Sequence, residues 1–304
     1  VKPGDGSAQD RGPIRVDAGG VFLAVTSLGL AEAPPVVVLH GFTGAAVAMQ
    51  GVNAMLGEAY RVVALDLVGH GESDAPGDPS LYSMANCVSQ VLGVLDALGI
   101  RRAHFVGYSM GGRVALSLAV AQPTRVASLV LVGVSPGEGD PVARAARVEA
   151  DENLAQAILD DGIEAFVDRW MALPLFASQS RLGKQALAAA RSQRLGCRPE
   201  GLAHSLRGMG SGAMPPLHGR LAELDVPVLL VAGAEDAKFC ALAETLREAL
   251  PRAEVRVIPE AGHAAHLEQP AAFAARCLAF LGAVETESSA PASISSSTSI
   301  SSST

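Results

Sequence analysis

Lysine is scarce in this chain: Lys2, Lys184 and Lys238 are the only lysines among 23 cationic residues, and the rest are arginines. Arginine offers a planar donor fork suited to carboxylates, although a GC-rich coding bias produces the same skew. Positive charge is in deficit overall, 23 Lys+Arg against 31 Asp+Glu for a formal net charge of −8. That balance excludes a general nucleic-acid or anionic-membrane surface and leaves room for local basic sites. Cysteine is sparse too. Cys87, Cys197, Cys240 and Cys277 are widely separated and form no C-x-x-C, which disfavours a disulfide framework or zinc site and points to reduced thiols and a cytoplasmic setting. Long apolar runs are missing: stretches such as "VASLVLVGV" at 126–134 are far too short to span a bilayer.

No signal peptide is visible, and the chain opens on Val1 rather than Met. That start leaves room for an upstream segment, and for an origin in a larger fused or organellar polypeptide. Residues 1–20 are rich in Gly, Asp and Pro and read as a loose lead-in. Residues 284–304 end in "SSAPASISSSTSISSST", a Ser/Thr-rich stretch expected to be disordered because it cannot bury enough apolar surface to offset chain entropy.

Between these ends, 49% hydrophobic composition over 304 residues supports a sizeable core. Short β-branched runs at 34–41, 61–69, 103–109, 126–133, 226–233 and 253–260 each read as a strand buried on both faces. Helical patterns fall at 83–98, 111–122, 238–250 and 270–282. The alternation predicts a doubly wound, mostly parallel α/β sheet from 21–135 and 217–283. It stops at 136–216, a helical stretch between "SPGEGDP" and "SGAMPPL". This reads as a cap inserted over the carboxyl ends of the strands, where open parallel sheets carry their sites.

The sequence "GYSMG" at 107–111 places Ser109 at a strand-to-helix reversal. Glycines two residues either side relieve a side-chain collision there, and the hydroxyl projects over the positive end of the following helix. A serine so placed needs a base. His263, in the loop after the last strand, has that position, whereas His266 reads as packing or capping, and His40, His70, His104, His204 and His218 read as loop, strand or surface residues. Asp236, three residues past the strand at 226–233, is the candidate acid. It is also a natural helix N-cap. The chain order Ser109, Asp236, His263 is that of α/β-hydrolases. Backbone N–H groups of Phe42, in "LHGFTG", and of Met110 are the candidate oxyanion donors. "DLVGHGES" at 66–73 matches a loop frequent in that superfamily.

Beyond these elements, "GYSMGGR", "ARAARVEAD", "FVDRWMALPLFASQ", "ALAAARSQRLG", "AEDAKF" and "AGHAAHLEQP" together resemble the SHCHC synthases, the MenH-type lyases of menaquinone biosynthesis. The resemblance covers about 34–282. Val68 departs from it, standing where the family is expected to carry proline. It implies 2,5-elimination of pyruvate from an enolpyruvyl cyclohexene carboxylate, with Ser109 as general base and no cofactor or metal. It also implies a substrate site of Tyr108, Arg113, Arg147, Trp170 and Arg191 for a small molecule with three carboxylates. Arg144, Arg194 and Arg207 lie near enough to compete for those roles. Two other readings stay open: a capped hydrolase cleaving esters or C–C bonds through a nucleophilic Ser109, and a non-catalytic receptor on the same fold. Oligomeric state is not indicated.

Overall fold

The computed structural model describes residues 12–289. Eight strands, β1 (Ile14–Asp17), β2 (Phe22–Leu28), β3 (Pro35–Leu39), β4 (Arg61–Leu65), β5 (Ala103–Tyr108), β6 (Val126–Val132), β7 (Val228–Gly233) and β8 (Ala253–Ile258), form one sheet in the order β1-β2-β4-β3-β5-β6-β7-β8. The pairs from β4 through β8 are parallel; β1-β2 and β2-β4 are antiparallel. This is the α/β-hydrolase architecture expected.

Alternation along each strand sends successive side chains to opposite faces. Val37, Leu39, Val63 and Leu65 join a core under α2 (Met84–Ala97), α3 (Met110–Ala121) and α7 (Ala237–Ala249). Val36, Val38, Val62 and Ala64 join the other, under α1 (Gln50–Gly57) and α9 (Pro270–Ser289).

The helical insertion between β6 and β7 comprises α4 (Pro141–Met171), α5 (Gly183–Leu195) and α6 (Pro199–Met209). A break at Gly162, φ +79°, splits α4, and Pro174–Leu182 is a 3₁₀ segment. This cap has a small core of its own, Ile158, Phe166, Val167, Leu202 and Leu206, against which Phe42 and Trp170 pack. The short helix α8 (Ala265–Glu268) precedes α9. No described helix is long and apolar enough to cross a membrane.

Three expectations change. The lead-in is not loose throughout, because Ile14–Asp17 pairs with β2 in a hairpin turned at Gly19 and Gly20, φ +84° and +90°. A four-residue edge strand burying one side chain, Val16, leaves little pattern to read. The expected disorder from 284 does not hold for its first residues, since α9 continues to Ser289; residues 290–304 lie outside the described part. β8 is not covered on both faces either. It is the sheet edge, with Val257 47% exposed.

Candidate active site

Ser109 follows β5 and precedes α3 at φ +50°, ψ −108°, a region costly for any residue with a Cβ. Two glycines make the turn possible. A Cβ on Gly107 would stand 2.5 Å from Gly112 Cα, and one on Gly111 would stand 2.4 Å from the Leu39 carbonyl oxygen. The Ser109 N–H donates to Val132 O at 2.8 Å, tying the turn to β6.

The loop after β8 brings His263, 4% exposed, to this serine. Its Nδ1–H donates to Asp236 Oδ2 at 2.8 Å, and its Nε2 accepts from Ser109 Oγ–H at 3.3 Å. The carboxylate thus holds the proton on Nδ1 and leaves the Nε2 lone pair for the serine. Asp236 serves as cap and partner together: its other oxygen, Oδ1, accepts from Phe239 N at 3.2 Å and starts α7. Gly133, φ +59°, leaves the imidazole its space, since a Cβ there would sit 2.7 Å from His263 Cε1. His266 packs under Tyr108 with ring centroids 4.3 Å apart, its pKa pushed down to about 3 by burial and by the charge of His263.

The loop after β3 depends on His40, whose place in the sequence gives no sign of more than a loop residue. Buried, it donates from Nδ1 to Gly41 O at 2.8 Å and accepts at Nε2 from Leu67 N at 3.0 Å. Burial holds its pKa below the usual value against the opposing pull of Asp66. Asp66 in turn accepts from Ala46 N, just past "LHGFTG", at 2.6 Å and from Glu72 N, within "DLVGHGES", at 2.8 Å. Gly41 is needed where it lies, because its Cβ would meet the Tyr108 ring at 2.7 Å. Phe42 therefore lies at the cavity wall, its ring 5.3 Å from that of Trp170.

A cavity of about 490 Å³ lies between sheet and cap, with Phe42, Tyr108, Ser109, Met110, Trp170 and His263 in its wall. Arg113 and Arg147 also line it. Arg113 donates to Met209 O at 3.1 Å, while its buried Nε has no partner among the described residues. Burial, then the charge of Arg147, pushes its pKa down to about 10. The Trp170 indole N–H is likewise buried without a partner among the described residues.

Arg191 is not brought to this cavity. It donates from Nε to Asp168 Oδ1 at 2.8 Å and from Nη2 to Glu164 Oε1 at 3.2 Å. These two carboxylates, one turn apart on α4, hold it outside the cavity wall. That contact leaves no trace in the sequence, because it joins two different helices. Of the competing arginines, Arg207 pairs with Glu152 and Arg144 donates to Gly212 O at 2.8 Å. Arg194 is half-buried, donating to Ala190 O on its own helix at 2.9 Å. The third cation in the wall is Lys238, two residues past Asp236 on α7. Its position in "AEDAKF" was the only sequence signal for it. Asp151 also lines the cavity and binds Arg147.

A family profile described as the α/β-hydrolase fold matches residues 34–270. A Bacillus subtilis (strain 168) protein provisionally named 2-succinyl-6-hydroxy-2,4-cyclohexadiene-1-carboxylate synthase is 43% identical over 254 residues, covering 84% of this chain and 92% of that protein. The synthase of that name from Enterobacter sp. (strain 638) is 36% identical, covering 84% and 93%. Among solved structures, MenH from S. aureus superposes with a TM-score of 0.82 at 32% identity, over 86% of this chain and 98% of that one.

Proposed function

The chain belongs to the α/β-hydrolase fold family and, within it, to the SHCHC synthases, and from that premise we propose that it releases pyruvate from 2-succinyl-5-enolpyruvyl-6-hydroxy-3-cyclohexene-1-carboxylate by 2,5-elimination. One observation carries the reading. Ser109 and His263, the latter held from behind by Asp236, open onto the same cavity as Arg113, Arg147 and Lys238. A substrate with three carboxylates needs several cations beside the reacting carbon, and a neutral ester needs none.

In this reading Ser109 Oγ takes the ring proton next to the succinyl carbonyl while its own proton passes to His263 Nε2. Asp236 stabilises the imidazolium so formed. The electron pair moves onto the carbonyl oxygen, where the peptide N–H groups of Phe42 and Met110 are the proposed donors. Collapse of this enolate through the ring double bond breaks the C–O bond to the enolpyruvyl group, which is protonated to pyruvate. The cyclohexadiene product remains. Tyr108 and Trp170 shape the wall against the ring, and the small anionic substrate fits the proposed cytoplasmic setting.

The test follows pyruvate formation from the cyclohexene substrate beside hydrolysis of p-nitrophenyl acetate. Pyruvate release well above ester cleavage is expected. Ester or C–C bond cleavage with no pyruvate would instead place the chain among the capped hydrolases, where Ser109 acts as nucleophile.

A further inference from the structure

Glu268, at the end of α8, is a carboxylate whose side chain is only 3% exposed. A buried carboxylate is costly unless its oxygens are bonded. Here Oε2 accepts from Gly262 N at 2.9 Å and Oε1 from Ala264 N at 3.3 Å. Those are the N–H groups of the two residues flanking His263, so one side chain holds the root of the imidazole from both sides. The same loop enters its turn through Glu260 at φ +54°, a conformation that the surrounding bonds must maintain.

The cap reaches this carboxylate directly. The 3₁₀ segment Pro174–Leu182 lies on the loop so closely that a Cβ on Gly262 would stand 2.2 Å from Ser178 Oγ. Arg181 of that segment pairs with Glu235 at 3.0 Å and Glu268 at 3.8 Å, and donates to Glu260 O at 3.2 Å. Glu235 immediately precedes Asp236, and its own N–H donates to Ala261 O at 2.9 Å. The loops of the proposed acid and base are thereby joined to each other and to the cap.

We infer that Glu268 is a positioning residue for His263, and that Arg181 couples the position of the cap to it. This rests on the reading of Ser109, His263 and Asp236 as the reacting chain. The contact that matters is the 3.3 Å separation between His263 Nε2 and Ser109 Oγ, already at the long end of a hydrogen bond. A displacement of a few tenths of an ångström at the base of the ring would open it, and misplacements of about 1 Å cost on the order of 100-fold in rate.

The experiment compares Glu268→Ala, Glu268→Gln, Arg181→Ala and Arg181→Lys with the wild type. Three readouts are used: pyruvate release, p-nitrophenyl acetate hydrolysis, and the low-field proton resonance of the His263–Asp236 hydrogen bond. Glu268→Ala is expected to lose about 10- to 100-fold in kcat on both substrates, with KM for the anionic substrate within about threefold because Arg113 and Arg147 are untouched. Its low-field resonance should broaden or disappear. Glu268→Gln, which keeps a carbonyl acceptor, should recover part of the loss. Arg181→Ala should lose several-fold, and Arg181→Lys should restore it. Unchanged kcat and resonance in Glu268→Ala would overturn the inference. So would equal losses in the Ala and Gln variants that track a fall in melting temperature. If the wild type releases no pyruvate, the lyase reading falls, while the ester rate and the proton resonance still decide the role of Glu268.

Discussion

Asp151 grips Arg147 with both oxygens, Oδ2 receiving Nε at 3.0 Å and Oδ1 receiving Nη2 at 2.7 Å. The two residues stand four apart on α4, and the carboxylate is buried while the guanidinium is about half exposed. A bidentate pair of this kind fixes the plane of the fork. Asp151 therefore braces a cation that faces the cavity, at the expense of some of its positive field. Asp151→Ala is expected to raise KM for the anionic substrate about tenfold, because the unbraced fork loses orientation. Steady-state kinetics checks this, and a fall in KM would show that Asp151 acts as a repelling charge instead.

The cations divide sharply by location. Arg113→Ala should lower kcat/KM for pyruvate release by about ten- to hundredfold, the value of one charge-assisted bond of roughly 1.5–3 kcal/mol. Arg113→Lys should lose nearly as much, since a point charge does not reproduce the fork. Lys238→Ala should raise KM several-fold. Arg191→Ala should change kcat/KM less than twofold, its guanidinium being held by Glu164 and Asp168. A large loss at Arg191 would require the cap to rearrange when substrate binds.

Ser109→Ala removes the proposed base and leaves the cations in place. Turnover should fall by about 10²–10⁴-fold while binding of the diene product persists in a calorimetric titration. Intact-mass spectra of the wild type during turnover should show no acyl adduct. A stoichiometric adduct on Ser109 would indicate nucleophilic chemistry.

Acid should destabilise this fold through histidines that are buried neutral. The pKa of His70 is pushed down to about 3 by burial and by His40, and that of His266 also to about 3 by burial and by His263. Unfolded histidine titrates near 6.5, so between about pH 6.5 and 3 the unfolded chain binds more protons and stability falls as pH falls. At pH 5 each site should cost on the order of 2 kcal/mol relative to pH 7.5. Thermal unfolding at the two pH values checks this, with His266→Gln expected to flatten the dependence. A melting temperature unchanged between them would refute it.

Sequence by itself determined whatever depends on short-range sterics and on chain order. A serine between Gly107 and Gly111 is readable as a tight turn because the clashing atoms belong to the turn itself, to the helix it starts and to the neighbouring strand end. Short unbroken apolar runs determined the sheet in the same way, since both faces of an inner strand must be covered by something. Asp236 and His263 could be nominated because each follows a strand, and strand ends of a parallel sheet share one side. Tertiary structure alone decided which charges meet across different elements. Arg191 and Arg194 lie three residues apart on α5, and no periodicity states that one pairs with α4 while the other bonds within its own helix. Lys238 reaches the cavity because α7 starts beside it, and Glu268 reaches the His263 loop because α8 folds back by one turn. Such pairings depend on helix rotation and on how loops close over distances of many residues. A hydrophobic pattern carries that information only for the buried face, whereas charged side chains are placed by what the packed elements leave beside them.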